Sequence, residues 1–341
     1  MTISHVPSRP RFDTPVTRLF GIDLPIVQGA MAWLSEAELV AAVSNHGGLG
    51  VLGAAIMSVE ELEAEVVRTK QLTDRPFGVN FPLVLGDYSE HLEMALGHGV
   101  ELIFMSAGSP KALTPRIKAA GAMCVHVAPS LKTALSAERA GVDAVVLESF
   151  EAGGHVSSQG ITAITNIPTV ARELKVPLIA AGGIVDGYGM AAAMCLGADG
   201  IQMGTRFLAT RESNAPEIYR RLLLEAKEGD AAVYSMKYHP GRALKSPTMN
   251  RLLELEQSGA TNEEVRKVLG FGRARKAAHQ GDLEEGMFFA GAGAGLVRDV
   301  LGVGELLDQM VAEYQQAVGR SAGFIRGASE AMESRASAGE S

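Results

Sequence analysis

The sequence predicts an α/β protein whose core is a closed (β/α)8 barrel, a TIM barrel. Eight short apolar runs bounded by turn residues alternate with stretches of helical character. These runs are apolar almost throughout instead of alternating with polar residues, which is typical of strands buried on both faces of a parallel sheet. Eight such units are the number that closes a barrel. An open, doubly wound sheet is the alternative that this pattern leaves open.

The elements follow one another in a regular order. The predicted strands are Pro25–Gln28, Leu49–Gly53, Phe77–Phe81, Glu101–Ser106, Met123–Val127, Ala144–Glu148, Leu178–Ala181 and Gly200–Met203. The helix predicted at Ser58–Thr69 begins with Ser-x-x-Glu, a pattern in which the side chains of Ser58 and Glu61 cap the first turn. Further helices are predicted at Glu36–Asn45, Ser130–Ala140 and Gly187–Leu196, with Gly47 and Gly48 near the end of the first and Gly197 after the last.

The pattern changes after the eighth strand. Residues 213–285 are charged and helical with no clear strand, so we expect an inserted helical subdomain there that serves as a substrate-binding lid. An apolar helix around Gly286–Val297 is then expected to return to the barrel. The barrel would therefore comprise residues 1–212 and 286–320. Residues 321–341 are rich in Ala, Ser, Glu and Gly and are predicted to form a flexible tail.

Composition and charge exclude several classes of protein. The 341 residues include 31 Lys and Arg against 39 Asp and Glu, a net charge of −8, so we expect no nucleic-acid partner. No run approaches the roughly 18 apolar residues of a membrane span, and the first residues lack the apolar core of a signal peptide. The two cysteines, Cys124 and Cys195, lie in apolar segments and are predicted to be buried thiols. We expect a cytoplasmic protein with a small-molecule substrate and no membrane partner, and a homodimer stays open.

Candidate functional residues follow several predicted strands, at the end of a parallel barrel where active sites form. The segment QGAMAW follows the first strand and contains the single tryptophan, Trp33. Its small residues let the backbone approach a flat ligand, although an ordinary tight turn explains them as well. Asn80, at the end of the third strand, can donate to and accept from the edge of a heteroaromatic ring, or else cap the next loop.

His155 is the best candidate for a general acid or base. It follows Gly153 and Gly154 after the sixth strand, where two glycines let the backbone come near a ligand. Imidazole titrates near physiological pH, as proton transfer requires. A surface or capping role is the alternative, and we assign that role to most of the other histidines.

Glycine-rich turns follow the seventh and eighth strands, with Gly182 and Gly183 in one and Gly204 and Thr205 in the other. Such turns form the usual phosphate site of these barrels because backbone N–H groups bind an anion without lysine. Close helix–sheet packing is the alternative, and packing also explains the GAGAG run at Gly291–Gly295 better than dinucleotide binding. No metal-ligand spacing or nucleophile elbow is present. A phosphorylated cofactor with a planar ring, FMN above all, fits this inventory.

Longer motifs resemble the nitronate monooxygenase (2-nitropropane dioxygenase) family and its relatives, the flavin-dependent type II enoyl-acyl-carrier-protein reductases. The resemblance runs from Arg18 to Met310 through PIVQGAMAWL, AAVSNHGGLGVLG, TDRPFGVN, ESFEAGGH, the block from Leu178 to Ser213, and QGDLEEGMFFAGAGAGLV. It implies a TIM-barrel enzyme that uses FMN, with His155 as the catalytic residue. By motif match, the flavin would be held by Ala30, Met31, Ala32, Asn80, Gly153, Gly154, Gly182, Gly183, Gln202, Gly204 and Thr205.

The resemblance leaves the reaction open. The first hypothesis is an FMN-dependent nitronate monooxygenase, which oxidises alkyl nitronates with dioxygen to a carbonyl compound and nitrite. The second is an FMN reductase that takes electrons from NADH or NADPH and acts on an enoyl-acyl-carrier-protein or a quinone. The segment QGAMAWL is more similar to this second branch, although Gly-Ala-Met stands where Gly-Gly-Met is usual. A barrel that binds a phosphorylated ligand without redox chemistry is the third hypothesis.

Overall fold

The computed structural model describes residues 10–238, 240–270 and 272–324, and a closed parallel barrel forms its centre. The strands are β1 Ile26–Gln28, β2 Leu49–Gly53, β3 Phe77–Pro82, β4 Leu102–Ser106, β5 Met123–Ala128, β6 Ala144–Glu148, β7 Gly154–His155, β8 Leu178–Ala181 and β9 Gly200–Met203. The ring has the order β1-β2-β3-β4-β5-β6-β8-β9, and β7 lies outside it. Each ring strand lies where a strand was predicted, so the prediction of a (β/α)8 barrel is confirmed.

Helices alternate with the ring strands and cover the barrel. They are α1 Pro15–Phe20, α2 Ala37–Asn45, α3 Val59–Leu72, α4 Ser89–Gly97, α5 Thr114–Ala119, α6 Leu131–Arg139, α7 Ala163–Ala171, α8 Gly187–Cys195 and α9 Thr205–Leu208. The predicted cap of α3 is present, since Glu61 N–H donates to Ser58 Oγ at 3.1 Å and Ser58 N–H donates to the Glu61 carboxylate at 2.7 Å. Two backbone donors at the helix start are thereby satisfied.

Apolar side chains fill both faces of the barrel wall. Val51, Phe104 and Val146 are buried inside the ring, whereas neighbours such as Leu52 and Leu147 are buried between the ring and the helices. Because successive strand residues point to opposite faces, burial of both faces requires apolar residues at consecutive positions. This is the physical origin of the continuous apolar runs in the sequence.

The segment after β9 is mainly helical but contains two strands. It comprises α10 Glu217–Glu225, β10 Ala231–Tyr234, β11 Gly241–Leu244, α11 Pro247–Gln257, α12 Asn262–Leu269 and α13 Arg273–Arg275. In a separate sheet, β11 pairs antiparallel with both β10 and β7. The expectation that this segment has no strand is therefore wrong. The small sheet joins the inserted segment to the loop that follows β6.

The chain returns to the barrel through α14, Val303–Ala322, and not where an apolar helix was expected. The predicted helix at Gly286–Val297 is wrong, because only a short 3-10 turn forms there, at Ala292–Leu296. The close approach of α14 to α8 depends on Gly187, where an added Cβ would lie 2.1 Å from the carbonyl oxygen of Met310. The Gly187 N–H also donates to the Glu313 carboxylate at 2.9 Å.

Two further expectations concern the surface and the C-terminal segment. Cys124 is buried as predicted, but Cys195 at the end of α8 is exposed, so that prediction is wrong. The predicted tail at residues 321–341 overlaps the end of α14, and residues 325–341 lie outside the described residues. In the part of the chain that the structure describes, no helix is both long and apolar enough to cross a membrane.

Candidate functional site

A cavity of about 1100 Å³ lies at the carboxyl ends of the ring strands. Residues that end or follow β1, β3, β6, β8 and β9 line it. The inserted segment contributes part of the wall through Tyr219, Tyr234 and Leu269. Active sites of parallel barrels form at this end because the loops there vary while the ring stays rigid.

The structure brings all of the sequence-predicted site residues to this one cavity. They are Ala30, Met31, Ala32, Asn80, Gly153, Gly154, His155, Gly182, Gly183, Gln202, Gly204 and Thr205. The segments that carry them are far apart in the sequence, and closure of the barrel places them together. Which of these residues contact a ligand stays a prediction.

Glycines occupy the turns after β8 and β9, both of which line the cavity. Gly182 and Gly183 have φ angles of 102° and 78°, a region that residues with a Cβ rarely adopt. Gly204 is different, since its φ is −113° and an added Cβ would meet the Met31 sulfur at 3.4 Å, an ordinary contact. Neither backbone conformation nor a neighbouring residue requires glycine at this position. A ligand that approaches the backbone closely would require it.

The GAGAG segment packs against the other glycine-rich loops of the cavity. A Cβ on Gly153 would lie 2.5 Å from the carbonyl carbon of Ala290, and Gly291 N–H donates to Thr205 Oγ1 at 2.9 Å. Backbone therefore touches backbone here, as expected if this run serves close packing. Gly291 and Gly293 also line the cavity, so the segment forms part of its wall.

Polar side chains meet at the mouth of the ring. Asn80 Nδ2 donates to Ser106 Oγ at 3.2 Å. Gln202 lies against Gly29, where an added Cβ would be 2.9 Å from the Gln202 Cδ, so glycine makes room for the amide. Glu148, at the end of β6, lines the same region. Together these side chains offer the donors and acceptors that match the edge of a heteroaromatic ring.

Glu148 is a site residue that sequence reasoning missed. It ends the otherwise apolar strand AVVLE, and this is the signal that could have found it, because a carboxylate is rarely placed in a core without a partner. The side chain is half-buried, and desolvation raises the pKa of its carboxyl to about 7. Protonated and ionised forms are therefore both populated near neutral pH.

His155 lies on β7 and is held by a sheet instead of a free loop. Its backbone is paired with Gly241 of β11. The side chain is exposed and lines the cavity, and its ring centroid is 6.3 Å from that of Phe289. Sequence reasoning did not anticipate this support, because the inserted segment was expected to contain no strand.

Arg242 ties the inserted sheet to the segment that carries His155. The side chain is buried, and its guanidinium donates to the carbonyl oxygens of Ala231 at 3.1 Å and Phe150 at 3.0 Å. It also stacks on the Phe150 ring, 5.0 Å from the centroid. Since Arg242 is paired with Gly154 in the sheet, it supports both ends of the segment from Phe150 to His155.

The rim of the cavity holds three non-glycine residues with left-handed backbone. Trp33, Ile56 and Ala107 have φ angles of 60°, 65° and 50°, and all three line the cavity. This conformation is costly for a β-branched residue such as Ile56, and strain of this kind is concentrated at functional sites. Ile56 is 64% exposed and Leu85, after β3, is 53% exposed. The rim therefore presents apolar side chains beside the entrance.

Comparison with known proteins assigns this barrel to a family. The family model described as nitronate monooxygenase matches residues 13–94 and 82–313. The chain belongs to the nitronate monooxygenase family. A relative from Mycobacterium tuberculosis, (3aS,4S,5R,7aS)-5-hydroxy-7a-methyl-1-oxo-octahydro-1H-indene-4-carboxyl-CoA dehydrogenase, is 37% identical over 246 residues, which cover 71% of this chain and 69% of that protein.

Two solved structures of related proteins have the same fold. FabK from Thermotoga maritima superposes with a TM-score of 0.87 at 36% identity, covering 92% of this chain and all of that one. Nitroalkane oxidase from Streptomyces ansochromogenes superposes with a TM-score of 0.78 at 30% identity, covering 90% of this chain and 99% of that one. As a member of the nitronate monooxygenase family, this chain is an oxidoreductase, and FMN is the cofactor of that family. The names of the relatives differ in reaction, so membership alone does not select one.

Proposed function

We propose that this chain binds FMN at the mouth of the ring. The cradle at Gly182, Gly183 and Gly204 would hold the phosphate, because exposed backbone N–H groups bind anions. The amides of Asn80 and Gln202 would meet the edge of the flavin ring. These residues fit FMN. An added Cβ at Gly204 would make only an ordinary contact with Met31, so the space that glycine leaves there is available to a phosphate. When bound, FMN supplies hydride transfer between two substrates.

The size of the cavity supports a second bound ligand. A pocket that buries one drug-sized molecule has a volume of about 300–1,000 Å³, and FMN is a molecule of that size. The cavity here measures about 1100 Å³, slightly above the upper end of that range, so we propose that it holds a second ligand beside the flavin. The exposed apolar rim at Ile56 and Leu85 adjoins this space. We propose that the second ligand has a substantial apolar part.

The reaction that fits best is reduction of an α,β-unsaturated acyl thioester by NADH or NADPH. The nicotinamide supplies one hydride and solvent supplies one proton, and together they saturate the carbon–carbon double bond. His155, exposed in the cavity, would deliver the proton, and the apolar rim would hold the acyl chain. The likeness to FabK and to a carboxyl-CoA dehydrogenase supports a thioester substrate.

Steady-state oxidation of NADH and NADPH tests this function, with crotonyl-CoA and trans-2-dodecenoyl-CoA as substrates. We expect consumption of nicotinamide that depends on the thioester. Leu85→Asn should raise the KM for the long-chain substrate by about tenfold, since lost burial of one aliphatic side chain is worth this much. Val84→Asn is the matched control, because Val84 is 72% exposed but does not line the cavity. No thioester-dependent oxidation in the wild-type protein would refute the proposal.

Nitronate oxidation is the second candidate, and one observation favours it. His155 lies in a cavity that is also lined by Arg266, whose positive charge would favour binding of an anion. The reaction would convert two alkyl nitronate ions and one dioxygen to two carbonyl compounds and two nitrite ions, so that each carbonyl receives one oxygen atom of the dioxygen. Nitrite release from propionate 3-nitronate tests it, and no release at saturating substrate would exclude it.

The remaining assignments are proposals of the same kind. The inserted segment at 213–285 would act as a substrate-binding wall, since Tyr219, Tyr234 and Leu269 line the cavity. The substrate is a small molecule on either reaction. A homodimer and a cytoplasmic location stay predictions from the sequence.

A further inference from the structure

The charged side chains along the cavity are mostly positive, although the whole chain carries a net charge of −8. Among the described residues, the Asp, Glu, Lys and Arg side chains that line it are Glu148, Arg266 and Arg273. The carboxyl of Glu148 is partly protonated near neutral pH because burial raises its pKa to about 7. The local charge therefore favours an anionic ligand, against the trend of the rest of the protein.

Arg273 is already engaged by the protein. Its guanidinium donates to the carbonyl oxygen of Glu285 at 3.0 Å and forms an ion pair with the carboxylate of the same residue. Its side chain is only 17% exposed. This pairing fixes the side chain in the wall and neutralises most of its charge, so Arg273 shapes the cavity more than it attracts a ligand.

Arg266 has a different environment. It lies in the last turn of α12, its side chain is exposed, and within the described ranges no carboxylate forms an ion pair with it. The next residue, Lys267, is paired with Glu263 at 2.9 Å and does not line the cavity. Arg266 therefore lines the cavity and has no described carboxylate to compensate its charge, whereas Lys267 is compensated and does not line the cavity.

The position of Arg266 is fixed by the packing of α12. Val265, the preceding residue, is buried in a cluster with Tyr234 of β10 and Met249 of α11. The sheet of β10 and β11 continues to His155 on β7. Arg266 is thus anchored on the inserted segment, a different element from the glycine turns after β8 and β9. A guanidinium on a helix whose position is fixed by packing suits a phosphate, which it can bind with two parallel hydrogen bonds.

We infer that Arg266 binds the phosphate-bearing tail of the second ligand. This inference rests on the proposed two-ligand cavity. Both a CoA thioester and a nicotinamide dinucleotide carry a diphosphate, so the shared chemistry is a nucleotide diphosphate. Arg266 acts in binding and not in the chemical step, so its removal should raise KM and leave kcat unchanged.

The test uses the FMN-loaded protein and compares Arg266→Ala with Arg266→Lys and the control Lys267→Ala. The probes are NAD⁺, NADP⁺, crotonyl-CoA and crotonyl N-acetylcysteamine, a thioester without phosphate; the oxidised nicotinamides carry the same diphosphate and cannot reduce the flavin. Dissociation constants are measured by quenching of flavin fluorescence, which does not depend on turnover. We expect Arg266→Ala to raise the dissociation constant of either the dinucleotides or crotonyl-CoA by about fivefold. Arg266→Lys should restore part of the lost affinity. The probe whose binding is weakened identifies which ligand supplies the diphosphate.

The phosphate-free thioester and Lys267→Ala show whether the effect is specific to a phosphate at Arg266. Binding of crotonyl N-acetylcysteamine and the effect of Lys267→Ala should stay within twofold of the wild type, and the loss in Arg266→Ala should shrink at high salt. Unchanged binding of every phosphate-bearing probe, or equal weakening of the phosphate-free thioester, would overturn the inference. Loss of FMN from Arg266→Ala would overturn it too, because the residue would then serve the flavin. If crotonyl-CoA binds through Arg266 but is not reduced, the proposed reaction fails and the phosphate site stands.

Discussion

Replacement of Glu148 by glutamine should change how the stability of this protein depends on pH. Burial raises the pKa of the Glu148 carboxyl from its usual 4.5 to about 7. The folded state then holds the proton more tightly than the unfolded state, so stability is fully present below pH 4.5 and is lost as pH rises through 7. At 1.36 kcal/mol per pKa unit the loss amounts to about 3 kcal/mol. This is an upper limit, because the half-buried side chain is partly screened by solvent.

Glutamine keeps the shape of the side chain and cannot ionise. The free energy of unfolding of Glu148→Gln should therefore equal that of the wild type near pH 4.5 and exceed it by up to about 3 kcal/mol at pH 8. Urea unfolding of FMN-free protein, followed by circular dichroism at several pH values, measures the difference. Glu90→Gln is the control, since Glu90 is exposed and its variant should follow the wild-type profile. A difference between Glu148→Gln and wild type that does not vary with pH would refute the reasoning.

Three further predictions concern the site. His155→Ala should keep its bound flavin, measured by absorbance, because the backbone of β7 stays paired. Its kcat should fall because the proton donor is lost. An unchanged kcat would remove His155 from the mechanism. Gly153→Ala should lower the melting temperature and the flavin content, since its Cβ would lie 2.5 Å from the backbone of Ala290; normal melting would show that this contact can relax. Arg242→Met should destabilise the fold by about 1–3 kcal/mol and lower kcat more than it changes KM, because the carbonyls of Ala231 and Phe150 lose a donor. Arg242→Lys should recover part of the kcat, and a variant with normal kcat would show that Arg242 does not position His155.

The barrel could be predicted because every ring strand is a short apolar run in the sequence. Runs such as Leu49–Gly53 and Ala144–Glu148 are buried on both faces, so each is apolar without interruption. The site followed from the barrel, since glycines and polar residues at strand ends must converge once the ring closes. This is why Asn80, His155 and Gly182 could be assigned to one cavity from the sequence alone.

Other elements could not be predicted because their signals are weak or are shared with other structures. β10 and β11 have four residues each, and only pairing with one another and with β7 makes them strands. The apolar stretch before Val297 has the composition of a helix, but Gly291 instead packs against the backbone of Gly153 and donates its N–H to the Thr205 hydroxyl. The role of Arg242 depends on this same sheet, so nothing in its local sequence indicated it.

The most direct test of the proposed reaction is an anaerobic half-reaction of the FMN-loaded protein. The protein is mixed with NADH or NADPH, and the visible absorbance of the flavin is followed; crotonyl-CoA is then added without oxygen. We expect bleaching by at least one nicotinamide and return of the yellow colour on addition of the thioester. A protein that binds FMN but ignores both nicotinamides, and is bleached by propionate 3-nitronate instead, would contradict the thioester reaction in favour of nitronate oxidation. Failure to bind FMN at all would contradict the flavin assignment itself.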